Sequence, residues 1–170
     1  KNNTIRNNTA NSNIKGSEIR YGESNLTNNS AINNTQGIHL SASGSILTGN
    51  NANGNEEGII LENIHNIKLM NNKMTGNKYN FLMPDVYQIN KWEIDTSNLV
   101  DGKPIYYLNR TKDAVYDSDN KAGLIICFNC VNVTIRKMNF SKNEAGIIFI
   151  NTTGSLIQNI STLNNKKGIY

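Results

Sequence analysis

Long apolar runs are missing from this 170-residue sequence. No stretch of about 18 consecutive apolar residues occurs, so nothing in the given chain crosses a bilayer as a helix. An excess of one charge is missing too: 17 basic against 13 acidic residues leave +4, scattered rather than clustered, and no nucleic-acid partner is expected. Amphipathic runs of about 10 to 15 residues, which helical repeats need, are absent, as is the Leu-x-x-Leu-x-Leu spacing of a leucine-rich repeat. Cysteine is reduced to Cys127 and Cys130 in one Cys-x-x-Cys, with no second pair to complete a thiolate cluster. Proline is reduced to Pro84 and Pro104, which share one segment with the only tryptophan, Trp92. The start lacks a methionine, and both ends lack a polar cap. The chain opens inside a repeat, at Asn3-Thr4-Ile5-Arg6-Asn7-Asn8, and closes one strand into another, at Gly168-Ile169-Tyr170. Bare solenoid ends carry unpaired strand edges, so the expectation is a segment of a longer β-helical protein, or ends buried on another chain.

What is present is a repeat. The stretch Gly58 to Asn80, GIILENIHNIKLMNNKMTGNKYN, recurs in columns at steps of 21 or 22 residues, a period that marks a solenoid. Ile5, Leu26, Leu47, Leu69, Ile135 and Ile157 form one column. Asn8, Asn29, Asn50 and Asn72 form a second, which loses its amide at Met138 and Ile160, and Ala10, Ala31, Ala52, Met74, Phe140 and Thr162 form a third. A fourth keeps its asparagine throughout: Asn13, Asn34, Asn55, Asn77, Asn143 and Asn165. Three residues after each of these stands Gly16, Gly37, Gly58, Asn80, Gly146 or Gly168, and Gly123 opens the remaining copy. The runs GIHL, GIIL, NFLM, GLII and GIIF are short, β-branched and bounded by Gly and Asn, so they read as strands. The fold expected is all-β: a parallel β-helix of about 21–23 residues per coil, with coils stacked about 4.8 Å apart. Asparagine suits the sharp corners because it tolerates left-handed backbone, and its amide hydrogen-bonds up and down a stack. A polar chain rich in Asn would explain the abundance but not the register, so the asparagine columns are read as corner ladders.

The period breaks once. Residues 1–83 are N-terminal coils and residues 123–170 are C-terminal coils of the same continuous domain. Between them, residues 84–122 hold Tyr87, Trp92, Tyr106, Tyr107 and Tyr116, with strand-like Gln88 to Ile94 and Pro104 to Leu108 around the turn Asp101-Gly102. In the strand after each corner, Ile38 and Leu40, Ile59 and Leu61, and Phe81 and Met83 should point inward. The residues between point outward and give a column of His39, Ile60, Leu82, Ile125, Ile148 and Tyr170. An apolar outer stripe calls for a cover, and the aromatic insertion is expected to lie over it.

Candidate chemistry is sparse. No carboxylate stacks on another at one period's distance within the repeats, whereas a glycosidase needs two acids roughly 5 to 10 Å apart. Asp117-Ser118-Asp119-Asn120 reads as a polar turn in preference to a calcium loop. His39 and His65 fall in different columns, and Met74, Met83 and Met138 occupy core positions where a thioether is filler. Met70 completes the list of soft donors. Cys127 and Cys130 read first as free thiols in a strand and corner, with a short disulfide or a metal pair as alternatives. No cofactor or metal site is expected. Sequons occur at Asn2, Asn7, Asn25, Asn28, Asn33, Asn109, Asn132, Asn139, Asn151 and Asn159. An Asn-Asn-Thr-rich repeat creates these automatically, so Asn109, outside the repeat, is the informative candidate for glycosylation.

The coils resemble the parallel β-helix repeats of the NosD-like family, often grouped with carbohydrate-binding proteins and sugar hydrolases. The insertion NKWEIDTSNLVDGKPIYYLNRTKDAVYDSDNKAGLI is similar to a recurring segment of archaeal cell-surface members, most specifically from Asp95 to Tyr107. The resemblance spans essentially the whole chain and implies a right-handed helix in an envelope or extracellular protein. The NosD name implies copper delivery, which the scattered soft donors do not support. The function expected is a non-enzymatic extracellular structural module, self-associating through uncapped ends or contacting other envelope proteins by Ile60, Ile125 and Ile148. The alternative is a carbohydrate-binding adhesin that uses Trp92 and Tyr107; a polysaccharide hydrolase or lyase, or a copper-handling protein, comes last.

Overall fold

A computed structural model of the chain describes residues 3–84 and 89–170. It is all-β apart from short 3-10 turns at Ile89–Lys91 and Ser118–Asn120. Its strands stack in parallel as a solenoid of about eight turns with about 21 residues per turn. The first coil is β1 (Asn3–Arg6), β2 (Thr9–Asn11) and β3 (Lys15–Ile19), and the second is β4 (Ser24–Thr27), β5 (Ser30–Ile32) and β6 (Gln36–Leu40). The third is β7 (Ile46–Thr48), β8 (Asn51–Asn53) and β9 (Glu57–Leu61); the fourth is β10 (Lys68–Met70), β11 (Lys73–Thr75) and β12 (Tyr79–Leu82). Register follows the sequence columns: Ile5 pairs with Leu26, Leu26 with Leu47, and Leu47 with Leu69. Ile38, Leu40, Ile59, Leu61, Phe81 and Met83 are buried in the core, as their alternation predicts.

The interrupted segment is not a cover laid on the outer face. Its first part is a fifth coil, β13 (Glu93–Ile94) and β14 (Leu99–Val100), with Ile94 beside Leu69 and Val100 beside Met74 in parallel register. Of the expected strand Gln88 to Ile94, only Glu93–Ile94 is extended; Ile89–Lys91 is a 3-10 turn, and Gln88, like Tyr87, lies outside the described residues. At Asp101-Gly102 the chain reverses, and β15 (Lys103–Asn109) pairs antiparallel with β14.

From there a second stack begins. β15 and β16 (Lys112–Tyr116) form its first turn, followed by β17 (Leu124–Phe128) with β18 (Val131–Ser141), then β19 (Ala145–Ile150) with β20 (Leu156–Leu163), and finally β21 (Lys167–Ile169). Ile135 pairs with Ile157 and Phe140 with Thr162, as expected, but in a separate sheet of β16, β18 and β20. The second stack folds back on the first instead of lengthening it. The Asn80 N–H donates to the Lys142 carbonyl at 2.5 Å, Glu144 N–H donates to Phe81 carbonyl at 2.9 Å, and Lys166 Nζ lies 2.7 Å from Glu57 on the third coil.

The sheet of β15, β17 and β19 is therefore a wall with apolar side chains on both faces. Ile105, Leu124, Ile126, Ala145 and Ile148 join the first core, while Leu108, Ile125, Cys127 and Ile147 join a second core with Val133, Ile135 and Phe140. This corrects the outer column. Ile60, Leu82, Ile125 and Ile148 are all buried, and among the aliphatic and aromatic members of that column only Tyr170 is exposed. Ile60 and Leu82 share a small cavity with Glu144 and Lys166 of the C-terminal turns. Ile125 and Ile148 face opposite sides of the wall, so no common contact stripe exists.

Candidate functional site

The asparagine columns supply the structure's polar interior. Asn29, Asn50 and Asn72 each offer Oδ1 to the backbone N–H and side-chain amide of the asparagine one coil earlier, at 2.9 to 3.1 Å. Each returns its own Nδ2 to a carbonyl of that earlier coil: Ile5, Leu26 and Leu47 respectively. The column does not stop at Asn72. Asn98 accepts from the Asn72 side chain at 2.8 Å and extends this ladder to five rungs, Asn8 to Asn98. The other ladder, Asn13, Asn34, Asn55 and Asn77, ends with Asn77 Nδ2 donating to Asn80 Oδ1 at 2.9 Å. Asn143 and Asn165 form a separate pair in the second stack, so the fourth sequence column is two ladders and not one.

The left-handed backbone at the corners belongs to the residue before the rung and not to the rung, except at Asn98, whose preceding Ser97 has no positive φ. Asn7, Ser12, Asn28, Asn33, Asn71, Lys142 and Asn164 have φ between 52° and 60°, with Gly49, Gly54 and Gly76 at equivalent places. The glycines that open the strands answer a different need. A Cβ on Gly16 or Gly37 would stand 2.7 or 2.6 Å from the carbonyl oxygen of the glycine in the next coil; Gly58 meets Asn80 O in the same way. In the second stack Gly123 is closed in by Val100 and Lys103, Gly146 by Phe140, and Gly168 by Thr162.

Two concave places among the described residues bear on candidates from the sequence. A groove of about 520 Å³ runs between the end of the first stack and β15, lined by Lys68, Glu93, Asp95, Tyr107, Asn109 and Thr111 among others. Trp92 also borders it but is 3 % exposed, with Nε1 donating to the Ile64 carbonyl at 3.3 Å. Tyr107 is half-buried and its hydroxyl donates to the Ile89 carbonyl; burial pushes its phenol up to about 12. Both aromatics cap the core, so a sugar would meet the polar rim, where Lys68 and Glu93 pair at 3.0 Å, and not a bare indole face. Asn109 is exposed at the end of β15, on the rim of the same groove.

The second place is a cleft of about 210 Å³ at the seam of the two stacks, which sequence columns did not reveal. His39, Glu57, Glu62, Glu144 and Lys166 meet there because the chain folds back and brings Lys166 onto Glu57, 109 positions away in sequence. His39 Nε2 is 2.8 Å from Glu62, whereas its Nδ1 is 3.6 Å from Glu18 and makes no hydrogen bond. Burial pushes the Glu57 carboxyl up, but hydrogen bonds from Lys166 and Gln36 outweigh it and hold the group below its ordinary value of 4.5. A general acid needs the opposite shift. Glu144, almost fully buried, is paired with Lys167 at 3.2 Å. The cleft is an ionic clamp between the stacks.

Soft metal donors do not converge. Cys127 and Cys130 form a disulfide with Cα atoms 5.8 Å apart, in place of the free thiols expected. The third residue of β17 after Leu124 points into the second core, and the turn at Asn129 (φ 54°) brings Cys130 back beside it. Met74, Met83 and Met138 are core side chains, and among the described residues no group of three or more His, Cys, Asp or Glu could hold a metal ion. Copper selection needs thiolate, thioether or imidazole ligands in one place; the donor set here does not fit one.

Residues 1–109 match a protein-family model described as periplasmic copper-binding protein (NosD). Comparison with curated proteins and with solved structures returns no match.

Proposed function

Because the chain belongs to the NosD family, and its described residues gather no copper-ligand set, we propose that it serves as a rigid, non-catalytic module of an exported protein, acting by surface contact at the cell envelope. One observation carries the reading: the stacked asparagine amides of the interior are engaged in coil-to-coil ladders, and Glu57 and Glu144 of the seam cleft are held in ion pairs with Lys166 and Lys167. Such a body is folded and stiff without a ligand. A disulfide agrees with an oxidising compartment outside the cytoplasm, and the periplasmic description of the family agrees with export. Copper binding is a property in the family's description; for this chain it enters only as a test.

Sizing and electron microscopy of the chain purified without denaturant decide the matter. A folded particle, or an ordered polymer built on strand edges, before any metal or sugar is added supports the proposal. A chain that folds only on addition of copper or of a glycan sinks it.

A second reading, carbohydrate binding, draws on the groove beside Trp92 and Tyr107 with its mixed rim of Lys68, Glu93, Asp95 and Thr111. Binding on a glycan array that Glu93→Gln weakens would favour it over a purely structural role.

A further inference from the structure

A cavity of about 360 Å³ lies on the second stack, where the β14–β15 turn meets the middle of β18 and the 3-10 turn Ser118–Asn120. Its polar side carries Lys103, Lys121 and Lys137, and its apolar side is Pro104, Ala122 and Met138. No carboxylate lines it. The neighbouring cations are already held, Arg136 by Asp117 at 3.5 Å and Lys142 by Asp101 at 3.7 Å. By contrast, none of the three cavity lysine side chains has an ion pair or hydrogen bond among the described residues. Three exposed lysines without a carboxylate partner thus border one cavity in a chain whose net charge is only +4.

The backbone adds an independent sign. Lys121 and Lys137 have φ of 52° and 55°, the left-handed region. Elsewhere this solenoid mostly fills such positions with asparagine or glycine, which adopt the conformation readily. Among the described residues a long basic side chain takes such a position at Arg110, Lys121, Lys137 and Lys142, and two of these four border this cavity.

We propose that this cavity binds an organic phosphate, a phosphomonoester whose apolar body lies on Pro104, Ala122 and Met138. A phosphate at neutral pH carries about two negative charges and three acceptor oxygens, which matches three lysines better than a single carboxylate does. Ala122 and Met138 are 3 % and 5 % exposed and form a firm floor for the organic part. This goes beyond the rigid-module reading and stands or falls apart from it, since a folded, non-catalytic body can carry the site or lack it.

Calorimetric titration of the whole chain with phenyl phosphate, and separately with inorganic phosphate, tests the assignment. Phenyl phosphate is expected to bind at least tenfold more tightly than inorganic phosphate, and more weakly as salt is raised. The double variant Lys121→Asn with Lys137→Asn removes two charges while suiting the left-handed backbone, so it should melt no lower than the parent and lose at least tenfold in affinity. Lys103→Gln, at the start of β15, should weaken binding at least threefold without touching either corner. Equal affinity for the two phosphates, no heat with phenyl phosphate, or variants that bind like the parent would overturn the proposal.

Discussion

Asn55 shows what one residue carries in this fold. Its Oδ1 accepts from the Asn34 backbone and side chain at 2.8 and 3.1 Å, and its Nδ2 donates to the Ala31 carbonyl and to Asn77, both at 3.0 Å. Asn55→Leu takes these partners from the Asn34 backbone N–H and the Ala31 carbonyl and one of two acceptors from the Asn34 amide, at about 1–3 kcal/mol for each group left unsatisfied. A loss of at least ~2 kcal/mol in urea denaturation is expected; a variant that unfolds at the parent's midpoint would show that the ladder does not stabilise the stack. Gly37→Ala should cost about 1–3 kcal/mol through overpacking, because the new Cβ meets the Gly58 carbonyl oxygen at 2.6 Å. Gly76→Asn should be nearly neutral, since Asn33 holds the same left-handed corner in an earlier coil, and a melting temperature well below the parent's would count against that assignment. These rungs were legible because equal spacing repeats them in register. Asn98 was not, because it follows Asn72 by 26 residues where earlier rungs follow by 21 or 22. The left-handed residue was misplaced by one position for a physical reason: both it and the rung are often asparagine, and composition alone cannot tell a backbone role from a side-chain role.

At the scale of elements, the seam depends on charge. Glu57 is held below its ordinary value of 4.5 in the folded state, so its contribution is complete above that pH and is lost as the pH falls through the lowered value. Acidification below 4.5 should therefore reduce amide protection at Lys167–Ile169, where Lys167 N–H bonds to the Glu144 carbonyl at 2.8 Å, before it affects β4 to β9. Uniform loss across both stacks would contradict this. Lys166→Met should cost about 0.5–1 kcal/mol, as partly exposed pairs do, with the same local signature. The strands of the first stack were legible from alternation, apolar inward and polar outward. The wall of β15, β17 and β19 misled because Leu124, Ile125, Ile126 and Cys127 are apolar on consecutive positions. A continuous run of that kind marks a strand buried on both faces, and reading it by alternation produced an outer stripe that the fold does not have. The fifth coil was hidden for another reason: Ile94 follows its partner Leu69 by 25 residues and Val100 follows Met74 by 26, outside the period of 21 or 22.

For the molecule as a whole, the division into two stacks gives the disulfide a local reach. Closing a loop this short restricts the unfolded chain by about 2 kcal/mol, and both sulfurs sit in the second core. Reduction should lower the stability of β15 to β21 by about that amount and leave exchange in β4 to β9 unchanged; equal loosening of both stacks would mean that they unfold as one unit. The solenoid class was readable from the column spacing, but its doubled shape was not. Nothing in a period announces the point at which the chain turns round, and here a two-residue turn at Asp101-Gly102 decides it. That turn also governs pairing. A parallel stack is its own template, since each finished edge presents the hydrogen-bond pattern that seeds the next strand. β15 covers the edge of β14 in the opposite direction, and parallel pairing resumes beyond it through β17, β19 and β21. The reversal therefore works as a splice, closing one parallel register and opening another within a single nine-stranded sheet.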